Sequence, residues 1–477
     1  MNEESKMKNK IRHIITLLLL GFSLNGMTQT DSLASYLSIA AKNNPALMQK
    51  YSEYQAALQK VPQVGSLPDP ELSVGVFLSP MELVSGNQYA DIKLMQMFPW
   101  FGTLKAAKDE MSMMAKAHYE TMQDTKAQLF YNIQQSWYGL YKIDQNSRIA
   151  KKNLDILHTV ERLALVRFKS PVKGTYSVST APIPSSNSSN AGNSSDMNSM
   201  GGGSSNAAST PSASSSMNTM PTPSGGSGLA DLYRIQLEIG ELENNIALLD
   251  NQKRTATAAF NSYLNRASET PVFIPEKLET PLFEAPLITD SLFTKNPMLT
   301  MLNYEKQSIE ARKRMVTKMG YPMIGLGVNY SIIGKSDNPM FNSDMNGNDM
   351  IMPMATVTLP IYRKKYKAMQ AEADWDKTAN NQAYVATNNS LKTEYYQALE
   401  AFQDAKRRME LYDKQFKLSE QTQSLLLKSF ATGSSNGLND VLTVSRQSLD
   451  YELKKEEAVA DYNIAVAWLK RLLCKNP

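Results

Sequence analysis

Methionine is the residue type whose number and spacing most suggest chemistry in this sequence. The chain of 477 residues contains 27 methionines, and four of them form two Met-x-x-Met pairs, Met197 with Met200 and Met217 with Met220. Thioether sulfur is a soft ligand that favours Cu(I) and Ag(I) over harder ions. The pairs therefore indicate capture of soft metal ions, although methionine also serves as a flexible gap-filler in proteins.

The four methionines lie in a stretch rich in Ser, Gly and Asn, from about 174 to 228. Such a composition cannot bury enough apolar surface to offset the entropy lost on ordering. The sequence therefore predicts a mobile loop with no core for these methionines to fill. In the helical segments of the chain, gap-filling is the better explanation.

Other reactive residues are scarce. The single cysteine, Cys474, and the histidines His13, His118 and His158 have no nucleophile or metal-ligand partner at a useful spacing. The sequence also lacks a phosphate-cradling glycine loop. The formal charge of +4 comes from interspersed charges and not from a basic stripe. We expect neither an enzyme nor a nucleic-acid-binding protein, and no cofactor.

The N-terminus predicts export from the cytoplasm. Four basic residues between positions 6 and 12 precede an apolar run, 14–24, and this is the form of a cleaved signal peptide over residues 1–29. The alternative is a membrane anchor, but a spanning helix needs about 20 apolar residues. No cysteine lies close after the apolar run, since the single one is Cys474, so we expect no lipid anchor.

The same pattern occurs twice, which predicts two structural repeats, 30–266 and 291–477, joined by a linker, 267–290. In each repeat Asn-Pro opens an amphipathic helix, at Pro45 and at Pro297. Proline suits the first turn of a helix because its missing N–H is not needed there.

Each opening helix is followed by two segments that alternate apolar and polar side chains with the period of a strand. The predicted strands are 71–78, 89–98, 323–332 and 351–360. Their apolar face suits either a soluble core or membrane lipid, and periodicity alone does not separate the two. Four strands leave two open edges, so strands that span a membrane would require several chains to share one barrel.

A very long helix follows each pair of strands, because 104–168 and 364–431 contain no proline and a single glycine between them. Each long helix then turns into a second helix. Gly228 to Asp231 aligns with Gly437 to Asp440 across the two turns. The Met-rich stretch is thus an insertion into the first of two equivalent turns.

Several motifs in this order resemble the TolC family of outer-membrane efflux proteins. They are the Asn-Pro-Ala-Leu opening, LPDPEL before the first strand, QMFPWFGTL after the second, VTLPIY after the fourth, and the two Gly-Leu-x-Asp turns. The resemblance implies a mainly α fold with a transmembrane β-barrel portion. Three copies of the chain would share one barrel, and their long coiled-coil helices would form a periplasmic tunnel.

The resemblance also implies a function, a passive outer-membrane exit duct of a tripartite efflux system. Its partners would be a periplasmic adaptor and an inner-membrane pump of the resistance-nodulation-division type, with the barrel in outer-membrane lipid. The methionine pairs fit the copper/silver branch of heavy-metal efflux. The segments 78–88 and 333–350 would be extracellular loops. The alternative function is a periplasmic coiled-coil adaptor or an adhesin without channel activity.

In this family acidic residues near the periplasmic tip narrow the tunnel mouth, and the matching positions here are Asp231 and Asp440. Lys169 and Lys173 are candidates for a closing bridge, because the second turn of this chain lacks an arginine. Alternatively, both aspartates cap the returning helices, since Asp is a favoured N-cap residue.

Two further groups of residues are predicted at the barrel. Asp91 and Lys93 lie on the presumed lumen face of the second strand, where charge is tolerated. Aromatic side chains are candidates for the belts at membrane interfaces, or alternatively for packing between helix and strand. These candidates are Trp100, Phe101, Tyr330 and Tyr362.

Overall fold

The structure is a computed structural model that describes residues 32–83, 85–169, 228–286, 293–337, 346–431 and 438–474. The elements of the first repeat are α1 (Leu33–Asn43), α2 (Pro45–Gly65), β1 (Glu71–Leu83), β2 (Gly86–Phe98), α3 (Thr103–Lys169) and α4 (Gly228–Leu264). Those of the second repeat are α5 (Pro297–Met319), β3 (Met323–Gly334), β4 (Met350–Thr358), α6 (Arg363–Ala431) and α7 (Leu438–Leu472). The duplicated order of helix, strand, strand, long helix and helix is confirmed, and in the first repeat it is preceded by α1, which the sequence did not predict.

The two Asn-Pro motifs have the same structural role. Asn44 and Asn296 are the N-caps of α2 and α5, where their Oδ1 atoms accept from the backbone N–H of Leu47 at 3.1 Å and of Met298 at 3.0 Å. Each amide also donates to the end of the last helix of its own repeat. Asn44 bonds the carbonyl of Tyr263 at 2.8 Å, and Asn296 bonds that of Leu472 at 3.3 Å. The motif therefore starts one helix and ties it to another.

The strands form one antiparallel sheet in the order β1-β2-β3-β4. The hairpins of the two repeats are joined through β2 and β3, where Asp91 pairs with Ser331 and Met95 with Gly327. Strands β1 and β4 are the two edges of this sheet.

The first interstrand loop is shorter than the predicted segment 78–88. Strand β1 continues to Leu83 and β2 begins at Gly86. The pairing register shifts between Val76 and Met81, so an irregular stretch inside β1 interrupts the alternation on which the prediction relied. Gly86 has φ +126°, a value that favours glycine and allows the tight return.

The helices pack side by side in one layer, and at each level of this layer each repeat contributes two adjacent helices. Near the sheet, contacts join the helices in the order α2-α3-α5-α6, and beyond it in the order α4-α3-α7-α6. Helix α6 therefore lies at one side of the layer along its whole length, while α2 and α4 lie at the other. None of the helices in the described ranges is both long and apolar enough to cross a membrane.

Three clusters of buried side chains hold this layer together. One surrounds Tyr36 and Phe260 in the first repeat, and another surrounds Tyr395 and Phe402 in the second. The third surrounds Ile235 and lies where α3, α4, α6 and α7 approach their turns, an end of the layer here called the tip. The fold thus places one core in each repeat and a shared core at the tip.

The described part of the linker, 267–286, has no regular secondary structure but is bound to the helices. The indole N–H of Trp137 donates to the carbonyl of Phe273 at 3.3 Å, and the amide of Gln145 to that of Glu276 at 2.8 Å. The hydroxyl of Tyr462 donates to the carbonyl of Pro281 at 2.8 Å. This segment therefore crosses from one repeat to the other as a strap.

Candidate functional site

The sheet has one apolar face that is exposed in the chain. Register places Leu72 beside Leu94 and Leu94 beside Val328, so apolar side chains form continuous rows across the strands. Exposed fractions reach 64% at Leu72 and 68% at Ile351. Exposed apolar surface of this extent marks contact with lipid or with another protein.

The opposite face carries the charges predicted for a lumen. Asp91 and Lys93 are partly exposed and lie two residues apart on this face. The carboxylate of Asp91 covers Gly75 of β1, where any side chain would collide with it. Lys93 lies between Ser73 of β1 and Asn329 of β3. The structure brings both residues into a polar strip that crosses three strands.

The aromatic candidates fall into two positions. Trp100 stacks on Tyr321 with ring centroids 5.3 Å apart, at the junction between sheet and helices. Phe101 and Tyr362 follow β2 and β4 at the same end of the sheet, and they are 83% and 78% exposed. Tyr330 lies towards the other end of its strand, where its hydroxyl donates to Asp349.

Tyr321 was not singled out from the sequence. It lies directly after α5, as Trp100 lies directly after β2, and the repeat does not align the two positions. At the same junction Gly102 adopts φ +81°, and Lys318 donates to its carbonyl at 3.3 Å. These contacts join the junction between β2 and α3 to the junction between α5 and β3. Phe101 contacts only the edge of Trp100, with ring centroids 6.0 Å apart, and stays largely exposed.

The tip aspartates lie within helices and not at their caps. Asp440 is the third residue of α7 and is exposed. Asp231 is the fourth residue of α4, and its side chain lies outside the described part of the structure. A carboxylate in the first turn is stabilised by the positive end of the helix dipole. Asp440 therefore lies in the first turn of α7 and is not its N-cap residue.

Of the two lysines proposed for the closing bridge, Lys169 ends α3 and is exposed. Lys173, the insertion at about 174–228 and the metal candidates Met197, Met200, Met217 and Met220 lie outside the described residues, as does the signal peptide. Within the described ranges, no group of three His, Cys, Asp or Glu side chains is arranged to hold a metal ion.

The tip contains an ion pair that the sequence did not suggest. The guanidinium of Arg446 in α7 makes a two-pronged contact with the carboxylate of Glu238 in α4, with Nε donating to Oε1 at 2.6 Å. This hydrogen bond to Glu238 raises the pKa of Arg446. Nearby, Arg234 of α4 donates to Asn439 of α7 at 3.1 Å. Side chains of the two repeats therefore meet directly at the tip.

A cavity of about 230 Å³ lies behind this pair, lined by α3, α4 and α7. Its wall includes Asn153, Glu241 and Ser445. The hydroxyl of Ser445 accepts from the amide of Gln423 in α6 at 3.0 Å in a buried contact. Polar contacts inside an otherwise apolar cluster permit rearrangement at lower cost than a fully apolar core, since water can replace them.

Solved structures, unlike sequences, match this chain. No protein-family model and no curated protein sequence does so. The outer membrane protein VceC from Vibrio cholerae superposes with a TM-score of 0.65 at 12% identity, covering 92% of this chain and 95% of that one. CusC gives a TM-score of 0.67 at 14% identity, covering 94% of this chain and 92% of that one. Its structures concern conformational changes that accompany folding and transmembrane channel formation.

The open state of the MtrE outer membrane channel from Neisseria gonorrhoeae gives a TM-score of 0.63 at 16% identity, covering 92% of this chain and 89% of that one. The likeness spans nearly the whole length of each protein. The chain therefore has the fold of these channels, and the fold predicted from the resemblance is confirmed.

Proposed function

We propose that the chain is a TolC-family outer-membrane exit duct, passive in itself, through which an efflux system exports small molecules or metal ions. The observation that carries this proposal is the sheet, with an exposed apolar face on one side and Asp91 and Lys93 on the other. An apolar outside and a polar inside are what a transmembrane barrel requires. The fold shared with outer-membrane channels supports the same function.

The active form is a homotrimer. The sheet and the helix layer have their edges on the same two sides of the chain. Elements β1, α2 and α4 form one side, and β4 and α6 form the other. An edge strand in a membrane must be paired, because lipid offers no hydrogen bonds. If the β1 side of each copy packs against the β4 side of the next, the copies close into a ring. The family resemblance gives the number of copies as three.

The positions of the aromatic candidates suit the two membrane interfaces. Trp100, Phe101 and Tyr362 lie at the helix end of the sheet, and Tyr330 lies towards the opposite end. Tryptophan and tyrosine favour the headgroup region of a bilayer. The signal peptide over residues 1–29 would deliver the chain to the periplasm.

The partners are a periplasmic adaptor and an inner-membrane pump of the resistance-nodulation-division type, which supply energy and cargo. They would meet the tip, where the gate residues are Asp440, Asp231, Lys169 and Lys173. To these we add the pair of Arg446 and Glu238, which joins the repeats at the tip. Separating α4 from α7 would have to break this contact.

The cargo proposed is Cu(I) or Ag(I), and the insertion with its four methionines would collect the ion at the tunnel mouth. The alternative function, an adaptor or an adhesin without a channel, finds no support in the sheet. An adaptor or adhesin has no barrel in a membrane, so the exposed apolar face of the sheet would be left without lipid to cover it.

Conductance tests the duct directly. The purified protein, inserted into planar lipid bilayers, is expected to open ion-conducting pores, while the variant Leu326→Asp on the apolar face should fail to insert. The polar-face variant Asn329→Asp places the same charge on the same strand and should insert normally. Equal behaviour of the two variants would contradict the assignment of the faces.

Deleting the gene and challenging cells separately with copper, silver, bile salts and antibiotics tests the cargo. Hypersensitivity to the two metals is expected. Sensitivity limited to bile salts and antibiotics would leave the duct in place and remove the metal assignment. Deleting residues 185–227 alone should then reproduce the metal phenotype if the insertion collects the ion.

A further inference from the structure

Several methionines lie on the face of the sheet that carries Asp91 and Lys93, here called the inner face, although the inside of a barrel normally carries polar side chains. Register aligns Met95 of β2 with Gly327 of β3, and Gly327 with Met354 of β4. One row away, Met97 is aligned with Gly325. These rows lie on the same face as Asp91 and Lys93, because side chains of a strand alternate with a period of two.

The two glycines leave room for sulfur. A Cβ atom built on Gly325 would lie 2.6 Å from Sδ of Met97 and 3.2 Å from Sδ of Met95, and one built on Gly327 would lie 3.2 Å from Sδ of Met95. The two sulfur atoms therefore lie side by side over β3. A side chain at either glycine would displace them.

Met354 lies at the opposite end of the same row, in β4. Its strand is two strand spacings, roughly 10 Å, from β2, and the residue between them in the row is Gly327, which has no side chain to block the approach. A methionine side chain has three rotatable bonds and adapts readily to such a gap. Three thioethers can thus converge over a floor of two glycines.

Gap-filling over the two glycines accounts for Met95, which is only 6% exposed, but not for a third methionine, Met354, in the same row. The face around it carries Ser73, Lys93, Asn329 and Thr356 and has no apolar core for methionine to complete. Thioethers are neutral and soft, so they bind univalent soft ions in preference to Zn²⁺ or Ca²⁺. Asp91 provides a carboxylate on the same face, four residues from Met95, and this carboxylate offsets the positive charge of Lys93 between them.

The geometry points to a soft-metal site formed by Met95, Met97 and Met354 on the inner wall of the sheet, with Cu(I) or Ag(I) as the ligand. Its place in an export path rests on the proposed duct, whereas binding of the metal does not. The site is separate in the sequence from the methionines of the insertion, and it lies at the end of the long helices opposite the tip.

Silver binding by the purified full-length protein in detergent tests the site. The starting protein carries Leu in place of the four insertion methionines, and bound silver is measured by equilibrium dialysis. Adding Met95→Leu and Met97→Leu should weaken one site per chain by about tenfold or more, as loss of groups at metal sites commonly does. The control pair Met48→Leu and Met319→Leu replaces two exposed helical methionines and should change nothing. Equal binding in the two variants overturns the proposal.

A second measurement uses the unmutated protein, in case the variants fail to assemble. Silver should protect Met97 and Met354 from oxidation by hydrogen peroxide, measured by peptide mass spectrometry, and should leave Met48 unprotected. Oxidation of Met97 and Met354 at the same rate with and without silver overturns the site.

Conductance in planar bilayers separates this site from the duct. If conductance is normal but silver binding is unchanged by the sheet substitutions, the metal site is contradicted and the duct is supported. If the protein forms no pore, the duct is contradicted, and the binding measurement still decides the site by itself.

Discussion

At the scale of single residues, the tip depends on contacts between side chains far apart in the sequence. Arg446 is 65% exposed while Glu238 is only 17% exposed, so the pair is partly shielded from solvent. Exposed ion pairs contribute only about 0.2–1 kcal/mol. A contact of this size is strong enough to bias the proposed gate and weak enough for the proposed partner to break.

Replacing Arg446 by Ala should loosen the tip. A loss of about 1 kcal/mol changes an equilibrium about fivefold, so the open probability in single-channel recordings should rise by up to about that factor. Exchanging the charges, with Arg446→Glu and Glu238→Arg together, should restore the closed state. The control is Arg407→Ala, which removes an ion pair within α6. An equal rise in that variant would show that the effect is not specific to the tip.

A second prediction concerns Asp124 in α3. Burial raises the pKa of this carboxyl above its ordinary value of 3.8, Arg471 lowers it and Glu394 raises it. Because the folded state holds the proton more tightly than the unfolded state, stability falls as pH rises through that range. Asp124→Asn should therefore raise the apparent melting temperature at pH 7.

The gain from Asp124→Asn should shrink as pH falls towards 4 and vanish below it. Asp404 provides the opposite case, because hydrogen bonds from Arg407 and then Arg408 lower its pKa. Asp404→Asn should therefore lower the melting temperature at pH 7, and its effect should also fade in acid. A gain from Asp124→Asn that is independent of pH would contradict the role of charge burial.

At the scale of elements, α6 carries an apolar stripe that the chain itself leaves open. Leu411, Leu418 and Leu425 recur every seven residues and are 45%, 63% and 68% exposed. Helix α4 carries a similar stripe on the other side of the layer, with Tyr233 58% and Leu237 70% exposed. A repeat of seven is the spacing of helices that pack side by side, so these stripes suit contact between copies.

Leu418→Glu should therefore reduce assembly. Burial of a leucine side chain contributes about 1.5–3 kcal/mol, and in the proposed ring the contact recurs at every interface. The fraction of trimer on unboiled gels and in size-exclusion chromatography should fall strongly. Ser424→Glu adds the same charge to an exposed position on another face of α6 and should assemble normally. Normal assembly of Leu418→Glu would place the interface elsewhere.

Sequence alone predicted the order of elements well, and the reason is periodicity. Strand alternation and two uninterrupted helical stretches are local signals, and the duplicated Asn-Pro motifs mark equivalent positions. The first loop was predicted too long because the irregular pairing after Val76 breaks the alternation. Arg446 and Glu238 are 208 residues apart, and no local pattern announces a contact of that kind. The stacking of Trp100 on Tyr321 was missed for the same reason.

At the scale of the whole molecule, the sheet gives the sharpest test of the ring. Within one chain, β1 and β4 are separated by two strands, so their facing residues lie roughly 14 Å apart. A disulfide requires Cα atoms within about 7 Å. Cysteines placed in β1 and β4 therefore cannot join within one chain and can form a disulfide only between copies.

With Cys474→Ser to remove the native thiol, Ser73→Cys in β1 should be combined in turn with cysteine at Met352, Met354, Thr356 or Thr358 in β4, all on the inner face. One register should give covalent dimers and trimers on oxidation, seen on non-reducing gels. Ser73→Cys with Val357→Cys places the thiols on opposite faces and should give none. Three linked chains that migrate as a closed species, and no higher ladder, are expected because a ring leaves no free edge. Ladders beyond three chains, or no product at any register, would mean that β1 and β4 of neighbouring copies do not close the sheet.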